Sequence, residues 1–409
     1  MKKYIKYSLY VLVFSAFCSC SNDDPKSDPV TSEPKPVQDP TIKLSLKADY
    51  TTERYKAVEV NPEVTIENSN GLTPQYKWTL KVTDKAGVTK DLVVGDTKNL
   101  LFIAPLADSY TVDLTVTVGK VTKQASTKVT VSETGKTYTS KALTLIDYLP
   151  SPNYSMDNYE FTTKAEVLER VREELKEESE IPLGTFGGYI TVGFDHTVIN
   201  NYGKRDFKIQ MNSSSTLKFT PVSVYVAYDA NKNGIADENE WYEIAGSEYN
   251  KSSTVKNYAV TYHKPNPEKA PVAGNLDWQF DKEYLKWSDN KNATGTITKT
   301  ARWEYNNYYP QWMGDSYTVK GTKVALPVKD VSDGSGKTFN VGTFEWGYGG
   351  IKDPSIDISW AVDSNGNKVH LPGIDFVKVY VPTLVEIGAL DLLTNSFKEA
   401  EDLNFTTSK

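Results

Sequence analysis

Short runs in which apolar and polar residues alternate recur along most of the chain from residue 41 onward. Alternation with a period of two puts every second side chain on the same face of an extended strand, whereas a helix requires a period near 3.6. Turn residues separate these runs at fairly even spacing. The pattern therefore predicts a mainly β protein made of antiparallel strands.

Residues 41–133 contain six such runs, including YKWTLKV and YTVDLTVTV. Their number and spacing predict an immunoglobulin-like sandwich. Trp78 lies in a strand where a core tryptophan would pack. Tyr110 lies near the start of a late strand, as a corner tyrosine does. We expect this domain to act as a spacer and identify no site in it.

The segment 134–160 contains Pro150 and Pro152 and is interpreted as a connector. Residues 163–178 follow with a capping box, Thr163 and Glu166, and one apolar stripe, which together predict a short amphipathic helix. From Gly187 onward, ten strand-like runs predict one larger antiparallel sandwich of jelly-roll type, assigned to residues 161–409. Residues 265–294 are interpreted as a long linker within it.

Residues 1–19 have the pattern of a lipoprotein signal peptide. Lys2, Lys3 and Lys6 precede an apolar run that is too short to span a bilayer. Ser19 provides the small residue needed before a lipidated cysteine, so Cys20 is expected to become the acylated first residue of the mature chain. An ordinary secreted protein cleaved nearby is the alternative.

Residues 20–40 are rich in proline and poor in apolar residues, as is typical of an extended tether. At about 3.1 Å per residue, its proline-rich part could extend roughly 50 Å from a membrane. The only cysteines are Cys18 and Cys20, so no disulfide is expected in the mature chain.

The stretch DANKNGIADENE, residues 229–240, matches a twelve-residue calcium loop. Gly234 falls at the sixth position, where the loop turns sharply. Strand-like runs flank the loop instead of helices, so we expect a structural Ca²⁺ and not a switch. A polar hairpin without metal is the alternative. The expected ligands are Asp229, Asn231, Asn233, Ile235 through its carbonyl, Asp237 and Glu240.

Aromatic residues concentrate in two polar stretches, around residues 278–290 and 301–315. Aromatic faces beside amides and carboxylates suit sugars and other ligands with an apolar face. The alternative is that these aromatic residues belong to an ordinary hydrophobic core and to a loop that has no ligand. The predicted ligand-binding surface comprises Trp278, Trp287, Trp303, Tyr305, Tyr308, Tyr309 and Trp312.

Catalytic motifs are sparse. The three histidines, His196, His263 and His370, stand alone, and neither HExxH nor GxSxG occurs. No catalytic residue is assigned, although a carboxylate pair for glycoside hydrolysis leaves no fixed spacing. The net charge of −7 disfavours nucleic acid as a partner.

Five segments together resemble a family of Bacteroidetes cell-surface lipoproteins that pair a PKD-like domain with a C-terminal sandwich. They are GGYITVGFDHTVIN (187–200), DANKNGIADENEWYEIAGSEY (229–249), KNYAVTYHKP (256–265), YYPQWMGDSYTVKGT (308–322) and WAVDSNGNKVHLPGIDFVKV (360–379). SNDD behind Cys20 also resembles the surface-export signal of such lipoproteins. The chain departs from PKD domains in lacking a WDFGDG-type run.

The resemblance implies a lipid anchor on the extracellular face of the outer membrane. It also implies an accessory role beside a TonB-dependent uptake system. We therefore expect a surface lipoprotein that binds a small-molecule or glycan nutrient, or a corrinoid-like one. A surface glycoside hydrolase and a structural adhesin or spacer are the two alternatives.

Overall fold

The computed structural model describes residues 38–83, 89–201, 203–212 and 220–407. Cys20 and the tether up to residue 37 therefore lie outside the described residues. The described chain is mainly β, with a single α-helix, as the alternating pattern predicts. Among the described residues, no helix is both long and apolar enough to cross a bilayer.

The first nine strands form the N-terminal sandwich, with five strands in the order β2-β9-β8-β5-β6 and two flanking pairs, β1-β4 and β3-β7. The strands are β1 (Thr41–Ser45), β2 (Asp49–Glu53), β3 (Val58–Val60), β4 (Glu63–Glu67), β5 (Gln75–Thr83), β6 (Thr89–Gly95), β7 (Leu100–Phe102), β8 (Asp108–Val118) and β9 (Val121–Ser132).

Two aromatic residues hold this sandwich as the sequence predicts. Trp78 is fully buried, and its indole nitrogen donates to the carbonyl of Thr97 at 2.9 Å. The hydroxyl of Tyr110 donates to the carbonyl of Leu106 at 2.9 Å, which is the geometry of a corner tyrosine. Both contacts satisfy a polar group while the ring contributes apolar area to the core.

The chain continues with β10 (Thr144–Leu149), α1 (Lys164–Lys176), β11 (Ile181–Gly184), β12 (Tyr189–Ile199), β13 (Phe207–Asn212), β14 (Ser223–Ala227) and β15 (Trp241–Ile244). It ends with β16 (Val255–His263), β17 (Gln279–Asp289), β18 (Thr294–Thr300), β19 (Ser316–Lys323), β20 (Val328–Asp330), β21 (Phe339–Val341), β22 (Ser355–Ile356), β23 (Ala361–Val362), β24 (Gly373–Tyr380) and β25 (Asn395–Asp402). Short 3-10 helices occur at Tyr154–Asn158, Glu238–Glu240, Ala301–Trp303, Ile358–Trp360 and Gly388–Leu390.

Two of these sheets face each other as a sandwich. One has six strands in the order β10-β12-β24-β14-β15-β23, and the other has four, β11-β25-β13-β22. Val224 and Val377 from the first share a buried cluster with Phe207 and Phe397 from the second. Helix α1 adds its apolar stripe to this core, and the Thr163–Glu166 capping box begins it as predicted.

A third sheet of four strands, β18-β17-β16-β19, has its own buried cluster. Two sequence interpretations are corrected here. The connector 134–160 contains β10, an outer strand of the six-stranded sheet, and the linker 265–294 contains all of the eleven-residue β17. Both strands were missed because bulges at Leu145/Asp147 and Gln279/Asp281 interrupt their pairing and their alternation.

Candidate functional site

The predicted calcium loop joins two neighbouring strands of the six-stranded sheet. It leaves β14 after Ala227 and enters β15 at Trp241. Gly234 has a φ of +75°, a left-handed conformation that glycine adopts at no steric cost. The backbone N–H of Asp229 donates to a carboxylate oxygen of Asp375 on β24 at 2.8 Å, which fixes the start of the loop.

Inside the loop, the predicted ligands converge in part. The side-chain amides of Asn231 and Asn233 donate to the same oxygen of Asp237, at 2.7 and 2.9 Å. The carboxylate of Asp229 accepts from the backbone N–H groups of Asn233 and Gly234, at 3.0 and 2.7 Å. Side chains from the first, third, fifth and ninth loop positions are thus held within one turn.

The carboxylate of Glu240 faces backbone groups of the same loop. It accepts from the N–H groups of Ala230 and Asp237, at 3.0 and 3.3 Å. Within the described residues, no group of three or more His, Cys, Asp or Glu side chains is arranged to hold a metal ion. The loop therefore has the backbone turn and the oxygen-rich side chains of a calcium loop, while its three carboxylates remain apart.

The predicted aromatic surface is not formed as one surface. Tyr308 and Tyr309 are 0% and 1% exposed and belong to the core of the third sheet. The hydroxyl of Tyr308 donates to Asp391, and that of Tyr309 donates to the carbonyl of Gly314. These two residues are structural, which corrects the prediction for them.

Trp287 lies in β17 and packs against the core of the third sheet. Trp312 packs against the core of the main sandwich, and its indole nitrogen is buried without a partner among the described residues. Both side chains are nevertheless partly exposed.

The other three residues of the prediction are also partly or fully exposed. Tyr305 is 90% exposed. The Trp303 ring is partly exposed and stacks on Tyr154 with centroids 4.5 Å apart. Trp278 is partly exposed, and its indole nitrogen donates to the carbonyl of Ser335 at 2.8 Å.

A different set of side chains forms a row across the outer face of the six-stranded sheet. The strand register places Asp147 opposite Thr191, Thr191 opposite Lys378, Lys378 opposite Tyr225, and Tyr225 opposite Glu243. Residues directly opposite on antiparallel strands share a face. Because Val224 and Val377 point into the core, these five point away from it.

We call Asp147, Thr191, Lys378, Tyr225 and Glu243 the polar row. Lys378, Tyr225 and Glu243 are each partly exposed. Tyr189 and Trp241 flank the row on the same face, and both are also partly exposed. Phe376 lies two residues along β24 from Lys378, opposite Gly193, and is buried. The face thus combines aromatic rings with charged and hydroxyl groups.

Both ends of this face are bounded. At one end, β19 of the third sheet approaches so closely at Gly321 that an added Cβ would lie 2.6 Å from the Tyr380 ring. The Thr322 hydroxyl donates to Glu243 at 2.9 Å from the same strand. At the other end lies the calcium loop, held by Asp375. Tyr380 and Phe376 are four residues apart, so the floor between the two boundaries spans roughly 13 Å.

Two charged groups of the row have internal partners. Asp147 pairs with Lys164 at 2.7 Å and accepts from the Tyr189 hydroxyl at 2.6 Å. Burial opposes ionisation of Asp147, but these two contacts leave its pKa below the usual value. Burial raises the pKa of Glu243, and hydrogen bonds from Thr322 and Tyr380 oppose that shift.

The ammonium of Lys378 lies 3.8 Å from the centroid of the Tyr189 ring. Burial lowers the pKa of Lys378, and the charge of Asp147 opposes that shift. Among the described residues, Lys378 makes this cation–π contact but no hydrogen bond or ion pair. The polar row therefore presents an ammonium with free N–H donors beside aromatic rings.

Sequence reasoning missed this face, although its signal is readable. Three residues of the polar row lie in strands that are otherwise mostly apolar, with their side chains pointing away from the core. They are Asp147 in TLIDYL, Tyr225 in SVYVA and Lys378 in FVKVY. What the sequence could not supply is the strand order, which brings β10, β12, β24, β14 and β15 side by side.

Several other polar and aromatic side chains make local structural contacts. His196 is buried, with its ring nitrogens 2.8 Å from Asp195 and 3.0 Å from Asp402. The Asp357 carboxylate accepts from the backbone of Ser359 in the same turn. Trp346 and Trp360 pack against each other at 4.7 Å.

No protein-family model matches the chain, and no curated protein matches it. Among solved structures, the PKD domain of human KIAA0319 is similar at 18% identity and a TM-score of 0.20, covering 26% of this chain and 95% of that one.

Two longer matches are weaker in identity. The three N-terminal domains of the bacteriophage RB49 outer capsid protein Hoc match at 12% identity and a TM-score of 0.16, covering 64% of this chain and 68% of that one. A quinonprotein alcohol dehydrogenase-like protein from Bacteroides thetaiotaomicron matches at 10% identity and a TM-score of 0.15, covering 62% of this chain and 47% of that one. These weak likenesses have no bearing on function.

Proposed function

We propose that this chain is a surface-exposed lipoprotein that binds a nutrient ligand for an outer-membrane TonB-dependent uptake system. The observation that supports binding is the polar row on the outer face of the six-stranded sheet. The sequence pattern at Cys20, the SNDD run behind it and the resemblance of the five segments between residues 187 and 379 support the lipid anchor and the surface location.

The chemistry of the face favours a ligand with an apolar ring face and polar substituents, such as a glycan or a corrinoid-like molecule. Tyr225 and Trp241 offer partly exposed rings on which such a face can stack. Lys378 donates hydrogen bonds, and Glu243 accepts them. Adjacent strands lie about 4.8 Å apart, so Lys378 and Glu243 flank Tyr225 with roughly 10 Å between their backbones.

Calcium is the second part of the proposal. Ca²⁺ in the loop 229–240 would draw the carboxylates of Asp229, Asp237 and Glu240 toward one point and stiffen the border of the binding face. The loop's anchoring to Asp375, next to Phe376, supports a structural effect at that border.

Calorimetric titration of the purified protein with a panel of glycans and corrinoids tests the binding function, with product analysis of each mixture. Saturable binding of at least one compound without a product is expected. A product would identify a hydrolase. Binding to cells or proteins alone would identify an adhesin or spacer, and either result would contradict the proposal.

A further inference from the structure

The charge balance of the polar row points to a feature of the ligand itself. Around the row, Asp147 is paired with Lys164, and Glu243 lies beside Lys256 and accepts two hydroxyl hydrogen bonds. The charges of Asp147, Lys164, Glu243 and Lys256 sum to zero, although Lys256 forms no ion pair with Glu243 and its ammonium is buried without a hydrogen-bond partner among the described residues. Lys378 adds one positive charge without an ion pair of its own, on a chain whose net charge is −7.

An ammonium on a half-covered sheet face is costly when it has no acceptor, because it loses water contacts without replacing them. The cation–π contact with the Tyr189 ring offsets part of this desolvation cost. The N–H donors of Lys378 still lack an oxygen partner among the described residues. A lysine side chain that faced only solvent would extend outward so that water hydrates its ammonium group.

We infer that the face binds a carboxylate-bearing ligand, with the carboxylate on the ammonium of Lys378 and a ring of the ligand beside Tyr225 and Trp241. This inference rests on the proposed binding function and specifies its ligand class. An acidic saccharide such as a uronide has both parts in one molecule. The acidic groups Asp375 and Asp229 lie at the calcium-loop end, about three residues or roughly 10 Å along the strand from Lys378.

The test uses three probes on the purified protein: an oligogalacturonide, its fully methyl-esterified form, and succinate. The first has ring and charge, the second has the ring alone, and the third has the charge alone. We expect the acidic oligosaccharide to bind at least about tenfold more tightly than the ester, as for loss of a charge-assisted hydrogen bond. Succinate should bind more weakly than the oligosaccharide.

Lys378→Met keeps the apolar stem over Tyr189 and removes the charge, so it should abolish the preference for acid over ester without lowering the melting temperature. Lys320→Met removes the same charge from an exposed position on β19 and serves as the matched control. It should leave the preference unchanged.

Equal binding of acid and ester, or a preference that survives Lys378→Met, would overturn the ligand class and leave the binding function standing. Succinate binding as tightly as the oligosaccharide would overturn the role of the ring. If no compound of this set or of the glycan and corrinoid panel binds, the binding function fails, and the inference fails with it.

Discussion

At the scale of single residues, Asp206 shows how strongly burial affects this fold. Its carboxylate is fully buried and accepts from the backbone N–H groups of Asn201 and Ile358, at 2.8 and 3.0 Å. Burial raises its pKa to about 7, and the nearby charge of Asp357 adds to that shift. The folded state therefore holds a proton on Asp206 that the unfolded chain releases near pH 4.

This difference predicts a pH dependence of stability. The contribution of Asp206 is fully present below its unfolded pKa and is lost as pH rises through about 7. One such group changes the free energy of unfolding by at most about 1.4 kcal/mol per pH unit. Melting temperature should therefore fall between pH 5 and pH 8, and Asp206→Asn should reduce that fall. Asp49→Asn, at an exposed position, is the control and should leave the pH dependence of the melting temperature unchanged.

The aromatic run 303–312 shows where residue type misleads. Polar neighbours predict a surface, yet Tyr308 and Tyr309 are buried because their hydroxyls find Asp391 and the carbonyl of Gly314. Tyrosine can sit in a core when its hydroxyl has a partner. That partner comes from chain positions that the local sequence does not reveal.

Two substitutions in this run should show, by their effect on the free energy of unfolding, which tyrosine is buried and which is exposed. Tyr309→Ala removes a buried ring and should cost about 3–5 kcal/mol in the free energy of unfolding. Tyr305→Ala removes a ring that is 90% exposed and should change it by about 0.5 kcal/mol or less. Urea denaturation measures both. Similar values for the two variants would mean that the burial described for Tyr309 is wrong.

At the scale of elements, regular patterns were predictable and irregular ones were not. Helix α1 follows from its capping box and its apolar stripe, and both are present. Strand β10 was hidden by a bulge, and the edge strands β22 and β23 have only two residues each. The turn of the loop 229–240 is predictable from spacing alone, since Gly234 at the sixth position has the left-handed φ of +75°.

The loop predicts a calcium-dependent melting temperature. The protein should melt higher with Ca²⁺ than with chelator, since a ligand present at 100 times its Kd stabilises by about 2.7 kcal/mol. Glu240→Ala should remove most of the difference because it deletes the bidentate ligand expected at the twelfth position. Asp363→Ala, in a loop where Asp363 accepts from the N–H groups of Asn365 and Asn367, is the control. Equal melting temperatures with Ca²⁺ and with chelator would exclude the metal.

At the scale of the whole molecule, the N-terminal sandwich is joined to the last residues of the chain. Arg54 donates to the carbonyls of Pro105 and Thr406, at 2.7 and 2.9 Å. The Tyr55 ring packs against His196 with centroids 4.5 Å apart. These contacts hold the N-terminal sandwich against the C-terminal sheets. The strand order that brings the polar row together depends on such long-range pairing, which no local pattern encodes.

Anchoring is tested at Cys20. Cys20→Ala should release the protein from the membrane fraction or leave it unprocessed, because the acylated side chain is lost. Fractionation and palmitate labelling measure the two outcomes. Ser19→Thr, which retains a small hydroxyl residue before Cys20, is the control and should still label. Labelling of the Cys20→Ala protein would instead identify Cys18 as the acceptor.

The affinities of two ring-removal variants for one ligand determine where the binding face lies. With the tightest binder from the glycan and corrinoid panel, Tyr225→Ala should weaken binding by about tenfold or more, since it removes a stacking ring at the centre of the polar row. Tyr305→Ala, which removes an exposed ring from the run 303–312, should bind like the parent protein. Loss of binding in Tyr305→Ala with unchanged binding in a folded Tyr225→Ala would contradict the account and place the site on the third sheet.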